Sequence, residues 1–133
     1  MSNGSDAIEF DLVDYSKILE HDSRYDSRAY DLVVYAVTAA AEKKGKAANS
    51  KSPIKHATAE DVMMMFREVV LDCYGPMSMT VLNDFGIHST EDIGEIMKNL
   101  CSAKFIAKSE TDSFDDFVGG FNFTEAFVWP FEI

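Results

Sequence analysis

Residues 74–127 read YGPMSMTVLNDFGIHSTEDIGEIMKNLCSAKFIAKSETDSFDDFVGGFNFTEAF, and the fold turns on how this stretch is read. Pro76 suits the first position of a helix, where its missing N–H costs nothing. Met77, Thr80, Val81, Leu82 and Phe85 continue that helix, and Gly86 closes it as a left-handed cap. Ile87 and His88 make a turn. Ser89 or Thr90 then caps a further helix that buries Ile93, Ile96, Met97 and Leu100. Gly94 lies inside that helix at a cost of about 1 kcal/mol relative to alanine, which marks a close approach by another backbone. Phe105, Ile106 and Ala107 read as a short strand, followed by the turn-rich acidic run SETDSFDDF. Gly119–Gly120 bends the chain, and Phe121 and Phe123 alternate about Asn122 with the period of a strand. Residues 104–108 are therefore predicted to pair antiparallel with residues 118–123. Thr124 to Phe127 reads as a short helical turn. Together these elements describe a helix–turn–helix followed by a wing.

Upstream, Thr58-Ala-Glu-Asp resembles a capping box, with Asp61 where Glu or Gln is usual. It opens a helix whose buried stripe is Val62, Met65, Phe66, Val69, Val70 and Cys73, closed by Gly75. Residues 43–56 are predicted to be a basic flexible loop, because they combine turn formers with lysines and almost no large apolar side chain. From Lys43 to Lys55 there are five lysines and no acid. This loop reads as a solubilising insertion, or else as a contact for an acidic partner. Before it, a helix over 28–44 carries Tyr30, Val33, Val34 and Val37 and is capped by Ser27. A first helix over 11–20 carries Leu12, Tyr15, Ile18 and Leu19. Residues 1–9 read as a flexible leader. The chain ends in VWPFEI, an apolar tail that is predicted to pack back beside the second helix, or failing that into a groove of another copy or a partner. The expected fold is one α+β domain over 10–133, mainly helical: about five helices plus a two-stranded β-hairpin, winged-helix-like in its C-terminal half.

The chain has 133 residues and a formal net charge of -11. Nucleic-acid affinity comes largely from Lys and Arg displacing counterions, so this balance argues against nucleic acid as a partner. No apolar run approaches the roughly 20 residues of a membrane span, and the small, acidic N-terminus does not read as a signal peptide. Cys73 and Cys101 stand in partly apolar helical patterns with no CxxC, as reduced buried thiols of a cytoplasmic protein.

Three segments, YDSRAYDLVVYAV, YGPMSMTVLNDFGIHSTEDIGEIMKNL and KSETDSFDDFVGGFNFTEAFVWPF, resemble a family of small bacterial proteins found mainly in planctomycetes and verrucomicrobia. The family's forms are close to F-G-P-M-A-x-x-V-L-x-x-W-G-I and K-T-x-x-D-S-x-x-D-F-x-x-G-Y-x-F-x-x-A-F. Tyr74, Phe85 and Phe121 depart from them, aromatic for aromatic. The family has no assigned function, so the resemblance implies a shared fold and no particular chemistry.

No catalytic, cofactor-binding or metal-ligating set is read from the residues. Counted from Asp112, a calcium loop would need glycine at its sixth position and Glu at its twelfth, where Phe117 and Phe123 stand. His21, His56 and His88 have no sequence-local partner to make a base or a zinc site. Glu91, Asp92, Glu95, Lys98 and Asn99 are the expected exposed residues of the helix after Gly86, and its carboxylates oppose a DNA-reading role. Tyr25, Arg28 and Tyr30, the acids Asp112, Asp115 and Asp116, and Trp129 form the candidate interaction or ligand surface. The functional reading is a small non-catalytic interaction or regulatory module with a protein partner or self-association. The alternative is a small-ligand or enzymatic site between the N-terminal helices and the hairpin. A weaker alternative is an acidic winged-helix regulator.

Overall fold

A computed structural model describes residues 14–47, 58–106 and 114–132. The predicted leader 1–9, most of the basic loop and Asp112 lie outside these residues. Six α-helices are described: α1 (Ser16–His21), α2 (Ser27–Ala47), α3 (Ala59–Tyr74), α4 (Ser78–Phe85), α5 (Thr90–Ser102) and α6 (Phe123–Phe127). Tight 3-10 turns occupy Gly75–Met77, Phe114–Phe117 and Trp129–Phe131.

The long pair α2 and α3 forms the spine. Asp26 caps α2, accepting the Arg28 N–H at 2.9 Å, so the cap falls one residue before the predicted Ser27. Tyr30, Val33, Ala36 and Ala40 are buried on one face of α2, while Val34 and Val37 are only half-buried. The two alanines let α3 lie close. The predicted Thr58 box forms: Thr58 Oγ1 accepts from the Asp61 N–H at 3.1 Å and Asp61 Oδ2 from the Thr58 N–H at 2.9 Å. Asp61 Oδ2 also accepts from Lys44 Nζ at 3.0 Å, which ties α3 to α2. Val62, Phe66 and Val70 of α3 and Ile93, Ile96 and Leu100 of α5 belong to one buried cluster. Pro76 sits in the 3-10 turn that leads into α4 rather than in α4 itself.

The predicted hairpin is absent among the described residues. Among the described residues there is no strand, so the α+β and winged-helix-like readings are corrected to an all-helical one. Residues 104–106 follow the end of α5, and residues 107 and 108 lie outside the described residues. Lys104 adopts φ 67, its N–H bonds the Cys101 carbonyl at 3.1 Å, and the Phe105 N–H bonds the Leu100 carbonyl at 2.9 Å. That pair is a Schellman closure, with lysine where glycine is usual. On the other side, Asn122 Oδ1 accepts from the Glu125 N–H at 3.0 Å and opens α6. Phe121 and Phe123 stack at 5.6 Å, and both rings meet Phe127, at 5.8 and 5.1 Å. The Phe121/Phe123 alternation is thus an aromatic cluster at the start of a helix, and the capping bond of Asn122 outcompetes pairing. The predicted helical turn over Thr124 to Phe127 is present within α6.

Lys104 is a direct test of this closure. A side chain in the left-handed region costs about 1 kcal/mol or more, which glycine avoids. Lys104→Gly is expected to raise the urea midpoint by an amount equivalent to about 1 kcal/mol. A lowered midpoint would mean that α5 ends differently.

Two contacts hold residues 114–120 against α5. A Cβ added at Gly94 would stand 2.9 Å from the Phe117 Cβ and 3.1 Å from the Phe114 carbonyl oxygen. The close approach predicted at Gly94 is therefore made, by a 3-10 turn. The buried Thr90 hydroxyl donates to the Phe117 carbonyl at 2.7 Å and accepts from the Gly120 N–H at 3.1 Å.

Candidate functional site

The sharp turn between α1 and α2 is where most of the polar side chains converge. Asp22 closes α1 and accepts from Arg24 Nε at 2.9 Å and Nη2 at 2.6 Å. Arg24 Nη2 also reaches Glu95 Oε1 on α5 at 3.1 Å, and its guanidinium lies 5.0 Å from the centroid of the Tyr25 ring. Asn99, one turn after Glu95, donates from Nδ2 to Asp22 Oδ2 and to the Tyr30 hydroxyl, both at 3.0 Å. The Tyr25 hydroxyl donates to Asp92 Oδ1 at 2.6 Å, while Asp92 Oδ2 accepts the His88 N–H at 2.8 Å. Asp92 thereby serves the N-terminus of α5, where negative charge is favoured. Tyr15 donates to Asp31 at 2.7 Å and stacks near Tyr30 at 5.4 Å.

The electrostatics of this network follow from burial and pairing. Burial, followed by the bond to Asp31, pushes the Tyr15 hydroxyl above its ordinary range, and burial with Asp92 does the same to Tyr25. The hydrogen bonds from Arg24 hold Asp22 below the usual carboxylate range, against an opposing contribution from burial. The Tyr15 and Tyr25 phenols stay protonated and Asp22 stays ionised across neutral pH. A general acid or base works best when it titrates near the operating pH. These three groups are set to hold geometry.

The predicted site residues divide accordingly. Tyr25 and Tyr30 are core residues with 2% and 0% exposure. Arg28 is exposed, pairs with Asp26 at 2.8 Å and lies 4.9 Å from the Phe85 ring centroid. Asp115 and Asp116 are exposed on the Phe114–Phe117 turn. Trp129 is exposed at the C-terminal turn. Tyr25 and Tyr30 share the network. Asp92, Glu95 and Asn99, predicted to be solvent-facing, are half-buried members of it. Sequence reading missed Asp22 and Asn99 as its hubs. The spacing Asp22-Ser-Arg24 was the available signal, since it permits a side-chain fork across a turn. Of the two cysteines predicted to be buried, Cys73 is exposed and Cys101 half-buried. Among the described residues no group of three or more His, Cys, Asp or Glu is placed to hold a metal ion.

Beside the network runs an open groove of about 580 Å³ between α1 and the last turn of α5. Lys17, Ile18 and His21 of α1 line one wall, Asn99, Ser102 and Ala103 the other, and Phe105 closes it.

Comparison with known protein families, with curated proteins and with solved structures finds no match for this chain. No helix among the described residues is long and apolar enough to cross a membrane.

Proposed function

We propose that this chain is a non-catalytic interaction module that presents the Trp129-Pro130-Phe131 turn to a protein partner. One observation carries this reading. Trp129 and Phe131 are 55% and 40% exposed, yet they stand on an ordered 3-10 turn. The Phe131 N–H bonds the Val128 carbonyl and the Glu132 N–H bonds the Trp129 carbonyl, both at 3.1 Å. The turn grows directly from α6, whose Phe123, Ala126 and Phe127 are buried. Two aromatic anchors are thus held in place before any partner arrives, which reduces the ordering cost of association. Trp is among the residues that dominate protein interfaces. The net charge of -11 disfavours a second copy and favours an apolar pocket rimmed by Lys and Arg.

The reading is tested with the double substitution Trp129→Ala and Phe131→Ala. Both side chains are surface groups, so the melt is expected to move by no more than about 0.5 kcal/mol in stability for each. Proteins crosslinked to the unaltered chain in its native cells are expected to be lost with the double variant. An identical crosslinked set for both chains, or a self-crosslink alone, overturns the proposal.

A further inference from the structure

We infer that residues 114–120 form a strap that opens as a unit while the helices stay folded, with the Thr90 hydroxyl as its latch. The inference does not rest on the Trp129 turn. Residues 115, 116, 118, 119 and 120 are exposed, and the strap places one fully buried side chain in the core, Phe117 at 3% exposure. The helices beneath it supply nearly all of the remaining buried cluster. A segment with few buried apolar groups and an exposed backbone opens at a lower free energy than the core it covers.

The seat of the strap is shaped by two glycines. On α5, a Cβ at Gly94 would collide with Phe117. On the strap, a Cβ at Gly120 would stand 2.7 Å from Met63 Sδ and 2.8 Å from Thr90 Oγ1. The strap backbone therefore lies directly on α5 and on the Met63 sulfur of α3. Gly94 weakens α5 as a helix and in return accepts the strap.

One oxygen acts as the latch. Thr90 is 2% exposed, and its hydroxyl both donates to the Phe117 carbonyl and accepts from the Gly120 N–H. Because both bonds end on the same atom, they form and break together. Neither belongs to the backbone ladder of α5, so their loss leaves that helix hydrogen-bonded. The Gly119–Gly120 pair lets the chain turn there, since Gly119 has φ 70 and nothing within 4 Å of an added Cβ. Past that pair, the rings of Phe121, Phe123 and Phe127 pack on one another and hold α6 in place. Opening thus lifts Phe117 out and bares the Thr90 hydroxyl, the Gly94 backbone and the Met63 sulfur, which is 8% exposed when the strap is closed.

The test is carried out on the full chain by native-state hydrogen exchange in low urea and by oxidation with dilute hydrogen peroxide. The Gly120 amide is expected to exchange at least about tenfold faster than the Ile96 and Leu100 amides, after correction for intrinsic rates. Its rate should not depend on urea below the unfolding transition, because opening the strap exposes little surface, whereas the two helix amides should follow global unfolding. Oxidation of Met63 reports the same opening, with Met64, 55% exposed, as the internal standard. Thr90→Val removes the latch and is expected to speed Met63 oxidation about tenfold relative to Met64, again without dependence on urea. Thr90→Ser keeps the hydroxyl and should stay within about threefold of the parent rate. A Gly120 amide that tracks Ile96 and Leu100 across the urea series would overturn the inference, and that result needs no variant. Equal Met63 oxidation in the parent and Thr90→Val would overturn it too, as would a serine variant oxidised as fast as the valine one.

Discussion

Replacing Gly86 with alanine is expected to destabilise the protein by about 3–5 kcal/mol. Gly86 has φ 90 and completes the Schellman closure of α4, with its own N–H on the Asn83 carbonyl at 3.1 Å and the Ile87 N–H on the Leu82 carbonyl at 2.9 Å. Strain in the left-handed region accounts for about 1–2 kcal/mol of the loss. The remainder comes from space. An added Cβ would lie 2.3 Å from the Arg24 carbonyl oxygen and 3.5 Å from the Tyr25 Cα. Those are backbone atoms, and they cannot swing aside. The Asp26 N–H bond to the Phe85 carbonyl, 3.1 Å, holds the two segments together at that point. Gly119→Ala provides the control, because Gly119 has φ 70 and nothing within 4 Å of an added Cβ. Denaturant unfolding of the two variants separates strain from collision. Equal losses would show that α4 does not press on the turn between α1 and α2.

Phe127→Ala is expected to cost about 3–5 kcal/mol, the usual range for emptying a core phenylalanine site. Phe127 is 1% exposed and packs on Phe121 and Phe123. The C-terminal tail was predicted to dock as a unit, and the structure divides it instead. Phe127, just before it, is core, Val128 is half-buried, and Trp129 and Phe131 are exposed. Truncation after Val128 is thus expected to leave a cooperative melt, whereas truncation after Ala126 abolishes it. If both truncations melt alike, α6 does not close the core. Loss of the exposed Trp129 is expected to leave the melt unchanged.

Capping chemistry and apolar spacing made most of the helices legible. Thr58 to Asp61 is read correctly from four residues because the box is local: donor, acceptor and backbone lie within one turn. Gly86 is read as a cap for the same reason, and the stripe of Ile93, Ile96 and Leu100 follows from a helical period that only one buried face satisfies. The error at 104–108 and 118–123 has an equally physical origin. Alternating Phe121 and Phe123 fit a strand and a helix start alike, and short apolar runs do not distinguish the two by period. The capping bond from Asn122 to Glu125 and the closure at Lys104 decide between them.

The assembled features depend on tertiary distance. Asp22 and Asn99 are 77 positions apart, and Tyr25 and Asp92 are 67 apart, so no local pattern pairs them. Which acids of α5 are exposed depends on the α1–α2 turn docking there, and that docking depends on Gly86 having no side chain. By itself, the sequence determined the caps at Thr58 and Gly86, the Ile93, Ile96 and Leu100 stripe and the acidic balance, because each rests on groups within a turn of one another or on composition. Only the tertiary structure decided that Tyr15 and Tyr25 donate to carboxylates while Tyr30 accepts from Asn99, that a groove opens between α1 and α5, and that Trp129 stands outside. Those outcomes depend on which faces remain once the helices have packed, a quantity set by contacts between residues far apart in the chain.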